Sequence, residues 1–290
     1  MNLHKKDENL DQKVVDGFGY EWKTFSYTDS KVADSLDYQF IQYSAPINLS
    51  KLTIEQGVAA DFGAGSGRWT ERILPYFSKI YAVEPSARAI EVLEKKFKNE
   101  KKVIVLAESI GLNSLSENSL DFAMSLGVLH HIPDTKQALI DISQKIKPGG
   151  YFLCYLYYDL ENKSFPYKSL FLISSFFRKL ISKFPQILKE IVSNIIALCV
   201  YLPFAKISLL IGILGKDASS IPLHHYADMP FLMMRNDALD RFGTSLEHRF
   251  SKAQIRDFLV ESNFDIETLK FSDREPFWCF AVQKAQVRID

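Results

Sequence analysis

The chain has 290 residues, room for one large domain or for one domain carrying an insertion. A hydrophobic share of 47% and a charged share of 24% exclude a disordered or collagen-like chain. Lysine plus arginine and aspartate plus glutamate both number 35, so the formal net charge is zero. That counts against a dedicated nucleic-acid binder, which carries a basic excess, though not against a local basic patch.

The three cysteines, Cys154, Cys199 and Cys279, form no C-x-x-C pair. Neither a disulfide framework nor a zinc site is expected, and a reducing compartment fits best. The N-terminus is charged with no apolar run behind it, so no secretory signal is expected and the location is read as cytoplasmic.

Residues 1–50 are polar and aromatic, with a compact DGFGYEWKTF segment at 16–25. From 58 to 158 short apolar runs alternate with helical patterns. VAADFG (58–63), KIYAVEP (79–85), VIVLAES (103–109), LDFAMSL (120–126) and YFLCYLYY (151–158) read as strands. ERILPYF (71–77) reads as a helix that Pro75 ends or bends. Ile90, Leu93 and Phe97 share one helical face, as do Ala138, Ile142 and Ile146. The alternation predicts a doubly wound α/β sheet with parallel pairing. Residues 160–225 are apolar with helical spacing and no strand. At 251–262 Ser251 and Gln254 have capping-box spacing, and Asn263 is a plausible left-handed stop. Two closing strands, FDIETLKF and PFWCFAVQK, resemble the end of the same sheet. The expected boundaries are 1–50, a core at 51–158, a helical insertion at 159–250 and a return to the core at 251–290.

The sharpest motif is Asp61-Phe62-Gly63-Ala64-Gly65-Ser66-Gly67, placed between a strand and a helix. Glycines let backbone turn sharply and approach a ligand, and amides at a helix start suit a negative or polar group. Glu84 ends the next strand, where a carboxylate accepts ribose hydroxyls in nucleoside sites. The dehydrogenase spacing G-x-G-x-x-G fails here, because Arg68, Trp69 and Thr70 follow Gly67. With Glu84, the acid after the third strand, VLHHIPD and KPGG in order, the chain resembles the class I S-adenosylmethionine-dependent methyltransferases. The finer pattern is similar to the branch that contains ubiquinone, menaquinone and bacterial glycan or secondary-metabolite methyltransferases.

The resemblance implies a Rossmann-like, mostly parallel seven-stranded sheet with a helical insertion after the fifth strand. It implies S-adenosylmethionine as cofactor. Gly63, Gly65 and Gly67 would meet the methionine part, with Asp61 ordering the loop and Glu84 holding the ribose. Glu108 would approach the adenine amino group with Ser109 and Ile110, and Leu126 and Gly127 would pass beside the methionine end. Residues 1–50 would form a lid or helical segment over the cofactor mouth, with Tyr20, Trp22 and Phe25 either as lid residues or packed on the sheet edge.

Methyl transfer is an in-line displacement in which alignment and desolvation supply much of the rate. A base is needed only if the acceptor must lose a proton. His130, His131, Asp159 and Tyr157 are the candidate catalytic groups at the rim of the sheet; the histidines also read as loop residues bonded to backbone, and Asp159 as a turn. Arg241 and Arg249 are candidates for acceptor recognition or for a structural ion-pair turn. No D/N-P-P-Y/F motif, no Pro-Cys pair and no acidic cluster follows the fourth strand, so amino methylation of nucleic acids, cysteine-based chemistry and a metal are not expected.

The insertion at 169–215 is apolar and locally basic. Glu161 and Glu190 are the only acids between 160 and 216. It reads as a cap over the acceptor, a peripheral helix on the inner face of the membrane, a homodimer contact or, least favourably, a membrane span. The expected activity is methyl transfer from S-adenosylmethionine to a small or lipid-linked acceptor, at oxygen, without nucleic acid. The alternatives are a cofactor-binding but catalytically silent protein of this fold and a scaffold in a membrane glycan or lipid assembly pathway.

Overall fold

The computed structural model describes residues 8–24, 30–52, 57–161, 164–218, 221–273 and 278–286. The chain divides into two compact units. The first holds Met1–Lys23, Asp37–Asn162 and Leu246–Asp290; the second holds Thr24–Leu36 and Lys163–Ser245.

The first unit opens with α1 (Gln12–Thr24), and α2 (Ser30–Ser44) is divided between the units. The alternating core follows: β1 (Val58–Phe62), α3 (Thr70–Ile73), β2 (Lys79–Val83), α4 (Ala87–Lys96), β3 (Val103–Leu106), β4 (Leu120–Leu126), α5 (Thr135–Lys145) and β5 (Ile146–Leu156). All five strands pair in parallel. Helices cover both faces of such a sheet, and its central strands are buried throughout: Ala59, Ala60, Phe62, Phe122, Ala123 and Met124 are at most 1% exposed. The expected third helix stops at Ile73, four residues short of Phe77. The Leu74 and Tyr76 amides bond three residues back, to Glu71 and Ile73, so the chain tightens around Pro75 instead of continuing. Lys147–Gly150, expected as a turn before the fifth strand, are part of β5, with a register shift between Leu120 and Phe122 on its neighbour.

After the second unit's helices, α6 (Phe165–Ile181), α7 (Gln186–Ile196), α8 (Leu202–Ile213) and α9 (Phe231–Gly243), the chain returns to the first through α10 (Lys252–Glu261), β6 (Phe264–Phe271) and β7 (Trp278–Lys284). The α10 capping box is formed: Ser251 Oγ accepts from the Gln254 amide and Gln254 Oε1 from the Ser251 amide. Asn263 ends the helix at φ 61°. β7 runs antiparallel to both β5 and β6, and the sheet order is β3-β2-β1-β4-β5-β7-β6. The order reverses between β1 and β4, which opens a crevice at their carboxyl ends.

The insertion is shorter than the expected 159–250. Tyr158 bridges to Phe250, and the Phe250 and Asp159 amides donate to the Tyr157 and Phe250 carbonyls, so both ends of that range are held within the first unit. The second unit has its own core, in which Ile181, Ala197, Tyr201, Ala205, Met234 and Ala238 are buried together. A five-residue π-helical segment, Ala197–Tyr201, joins α7 to α8 as one helix.

Candidate active site

β1 runs into the glycine loop at the crevice. Gly63, Gly65 and Gly67 take φ of +79°, +56° and +74°. This is the left-handed region, which costs an L-residue about 1–2 kcal/mol. Space is short as well. A Cβ on Gly63 would stand 2.5 Å from Val128 Cγ2, and one on Gly65 would stand 2.9 Å from the Trp22 indole. The amides of Gly63 and Ala64 donate to the Val83 carbonyl, that of Gly67 to Ala64 and that of Gly65 to Glu84 Oε2. These four amides therefore fold the loop. Ser66 Oγ, buried in the same loop, has no hydrogen-bond partner.

Two buried carboxylates hold the loop. Asp61 Oδ2 accepts from Thr70 Oγ1 at 2.6 Å, which ties the end of β1 to the start of α3. Burial pushes its pKa up to about 7, against the Thr70 hydrogen bond. Glu84 Oε2 accepts from Gly65 and Oε1 from the Ser86 amide, each at 2.9 Å. Burial raises its pKa too, opposed by those two amides. Each Glu84 oxygen keeps a lone pair for a further donor, so the carboxylate is anchored and still able to accept a diol.

A cavity lies above this loop. Its floor includes Gly63, Ala64, Glu84, Pro85 and Leu126, and its far end reaches Glu108 and Ile110. Its roof is one face of α1: Val14, Phe18 and Trp22, spaced four apart. Arg68 joins roof to floor, with its guanidinium 4.6 Å from the Trp22 ring centre and 4.8 Å from that of Trp69. The cavity is mostly apolar, with Asp11, Glu84, Glu108 and His131 among its lining residues. An anchored ribose acceptor, a buried hydroxyl without a partner and a dry wall fit an adenosyl cofactor.

A family model described as a methyltransferase domain matches residues 60–154, the span from the glycine loop to the end of β5. Among relatives, a Saccharomyces cerevisiae protein named a probable S-adenosylmethionine-dependent methyltransferase is 24% identical over 146 residues, 47% of this chain and 50% of that protein. An uncharacterized Mycobacterium tuberculosis protein is 40% identical over 67 residues, 22% of this chain and 21% of its own length. The chain thus spans half or less of these relatives. Among solved structures, a SAM-dependent methyltransferase of Methanosarcina mazei superposes with a TM-score of 0.50 at 14% identity, covering 82% of this chain and 97% of that one. A chain of a complex between a Haloferax volcanii methyltransferase activator and its partner gives 0.51 at 11% identity, covering 93% and 98%. At these identities the likeness is one of fold, and the fold is the class I S-adenosylmethionine-dependent methyltransferase fold that the sequence predicts.

The remaining predicted residues between 60 and 154 fall in the cavity lining, in the loop after β3 and in the turn after β4. Glu84, Glu108, Ile110 and Leu126 line the cavity. Glu108 Oε2 also accepts from the Ser114 amide and hydroxyl, which pins the loop after β3, and Ser109 Oγ accepts from the Leu112 amide in that loop. Gly127, at φ +81°, donates its amide to Tyr155 and turns the chain beside the cavity.

His131 also lines the cavity, 5.0 Å from the Phe18 ring. Its Nδ1 lies 2.7 Å from the Leu246 carbonyl, which can only accept, so Nδ1 carries a proton, and its Nε2 is buried. His130 is different. It is fully buried, both ring nitrogens lack a partner, and its ring stacks 3.7 Å from that of Tyr157. Burial first, then His131, Arg249 and His248, lowers its pKa well below the usual histidine value. It is outside the cavity lining, as is Tyr157, so neither is placed as a catalytic group.

Asp159 is exposed and accepts from the Glu161 amide, a turn rather than a base. Arg249 pairs with Glu247 at 2.9 Å, donates to the Tyr158 carbonyl and lies over the Tyr157 ring. Arg241 lies over Phe171 and donates to Ser175 within the second unit. Both arginines thus have structural partners. Tyr20 is on α1 but off its cavity face, and Phe25 is outside the described residues. Sequence reasoning missed Val14, Phe18, Arg68 and Val128. The spacing of Val14, Phe18 and Trp22 was the available signal; the Arg68 sandwich and the Val128 contact depend on the folded loop.

Proposed function

We propose that this protein transfers a methyl group from S-adenosylmethionine to a small or lipid-linked acceptor, at oxygen. The observation that carries the reading is Glu84, anchored through both oxygens at the end of β2 and facing an apolar cavity beside the glycine loop. In that cavity Glu84 would hold the ribose and Glu108 and Ile110 the adenine end. When bound, the cofactor supplies an electrophilic methyl group on a sulfonium. The chain's own contribution is to hold that group in line with the acceptor and to exclude water, through Phe18, Trp22, Leu126 and Val128. His131 would take the acceptor's proton at Nε2, since its Nδ1 is engaged by the Leu246 carbonyl.

Calorimetric titration of ligand-stripped protein with S-adenosylmethionine, S-adenosylhomocysteine and NADH tests this. Micromolar binding of the two adenosyl ligands alone is expected. No adenosyl binding would reduce the fold to a scaffold. An acceptor screen follows, with sugars, quinones and lipid-linked intermediates. For an active acceptor, His131→Ala should lose most turnover with cofactor affinity intact; unchanged turnover would remove the base.

A further inference from the structure

The second unit leaves a large apolar surface uncovered. Its longest helix, Gln186–Ile213, has 28 residues and a mean hydropathy of 2.1, long and apolar enough to cross a membrane. It buries one stripe only: Ser193, Ala197, Tyr201, Ala205 and Ser208, which recur every three or four residues. Away from that stripe Ile187, Ile191, Ile195 and Leu198 form a continuous outward row, continued by Leu210 and Ile213. Ile187 is 72% exposed and Ile213 is 73% exposed. α6 presents Leu172, Ile173, Phe176 and Leu180 in the same state. Monomeric soluble proteins rarely leave so many large apolar side chains contiguous and wet.

We propose that the exposed face of α6, α7 and α8 docks on an anionic lipid surface, lying in the plane of the membrane. The charges select this occupant. Lys179, Lys183, Lys206 and Lys216 are exposed among or beside the apolar residues, and Arg178 is buried instead, donating to the Thr244 and Ser245 carbonyls. Lysine stems can lie along apolar surface while the ammonium groups reach lipid phosphates. A second copy of this chain fits less well. A two-fold interface sets the same patch against itself and would bring like charges together within an apolar contact. A span fits less well too. Arg178 of α6 is buried, and Arg235 and Arg241 of α9 donate to Asn194 of α7 at 2.8 Å and to Ser175 of α6, so a span would carry its packed neighbours' guanidinium groups into hydrocarbon, which disfavours them.

Flotation of the full chain with phosphatidylcholine vesicles, with and without a one-third share of phosphatidylglycerol, tests the proposal. The protein is expected to float with the anionic vesicles, to fall off as salt rises and to be released by alkaline carbonate. Replacing Ile187, Ile191 and Ile195 together by Glu should cut the bound fraction about tenfold. The three positions are exposed, and an unchanged far-ultraviolet dichroism spectrum controls for folding. A second variant, with Lys179, Lys183 and Lys206 changed to Glu, should lose the preference for phosphatidylglycerol. Failure to float would overturn the proposal. So would retention after carbonate, which marks a span. A lipid-indifferent dimer that the isoleucine variant converts to monomer would overturn it in favour of a second copy.

Discussion

Glu84 is both a ligand candidate and a structural brace, so its removal has two separable effects. Glu84→Ala takes the acceptor from the proposed ribose position and leaves the buried Gly65 and Ser86 amides without their partner. Loss of a hydrogen bond to a charged group is worth about 1.5–3 kcal/mol, so adenosyl affinity should fall by one to two orders of magnitude in titration calorimetry. Unchanged affinity would place the ribose elsewhere. Asp61 predicts a pH effect. Burial raises its pKa from 3.8 to about 7, so the folded protein holds the proton more tightly than the unfolded chain. The stability this contributes is fully present below 3.8 and is lost as pH rises through about 7. Asp61→Asn cannot ionise but can still accept from Thr70. Thermal melts of ligand-free protein across that window should show a shallower decline for the variant than for the wild type. An identical slope would mean that Asp61 does not titrate there.

At the scale of elements, the roof of the cavity depends on a clamp. Trp22 covers Gly65 and shares Arg68 with Trp69. A cation–aromatic contact is worth about 0.5–2 kcal/mol, so Trp22→Ala should release α1 from the loop and speed dissociation of S-adenosylhomocysteine by about tenfold in stopped flow. An unchanged dissociation rate would make α1 a bystander. The elements themselves differ in how far they could be read. The glycine loop, β4, α5 and α10 are governed by local chemistry: glycines at φ above zero, a short mostly apolar run, the Ala138, Ile142 and Ile146 stripe, and a capping box. Each was legible from adjacent residues. The end of α3, the start of β5 and the short β3 depend on pairing and on how the chain tightens around Pro75, so their limits shifted. The candidate bases show the same division. His130 and His131 are indistinguishable as neighbours in sequence. Only folding aims one ring at the cavity and stacks the other on Tyr157.

At the scale of the molecule, a net charge of zero conceals an uneven distribution, with residues 160–216 basic and apolar. That stretch marked the insertion, but its limits were not legible, because the pairing of Tyr157–Asp159 with Phe250 joins residues far apart in sequence. Each unit encloses its own core: the sheet in the first, and Ala197, Tyr201, Met234 and Ala238 in the second. Domains with separate cores need not unfold as one, so scanning calorimetry should resolve two transitions. The proposed cofactor site lies wholly within the first unit, since every residue lining the cavity belongs to it. A ligand that binds only the native form stabilises by mass action, about 2.7 kcal/mol at a hundred times its Kd. For a unit of this size that is a shift of about 5–10 °C. Saturating S-adenosylhomocysteine should therefore raise one transition by that amount and leave the other in place. Glu84→Ala should cut the shift by about half or more at the same ligand concentration, because a ten- to hundredfold weaker affinity leaves less mass-action stabilisation. If both transitions move together, the two units unfold cooperatively and the second depends energetically on the first.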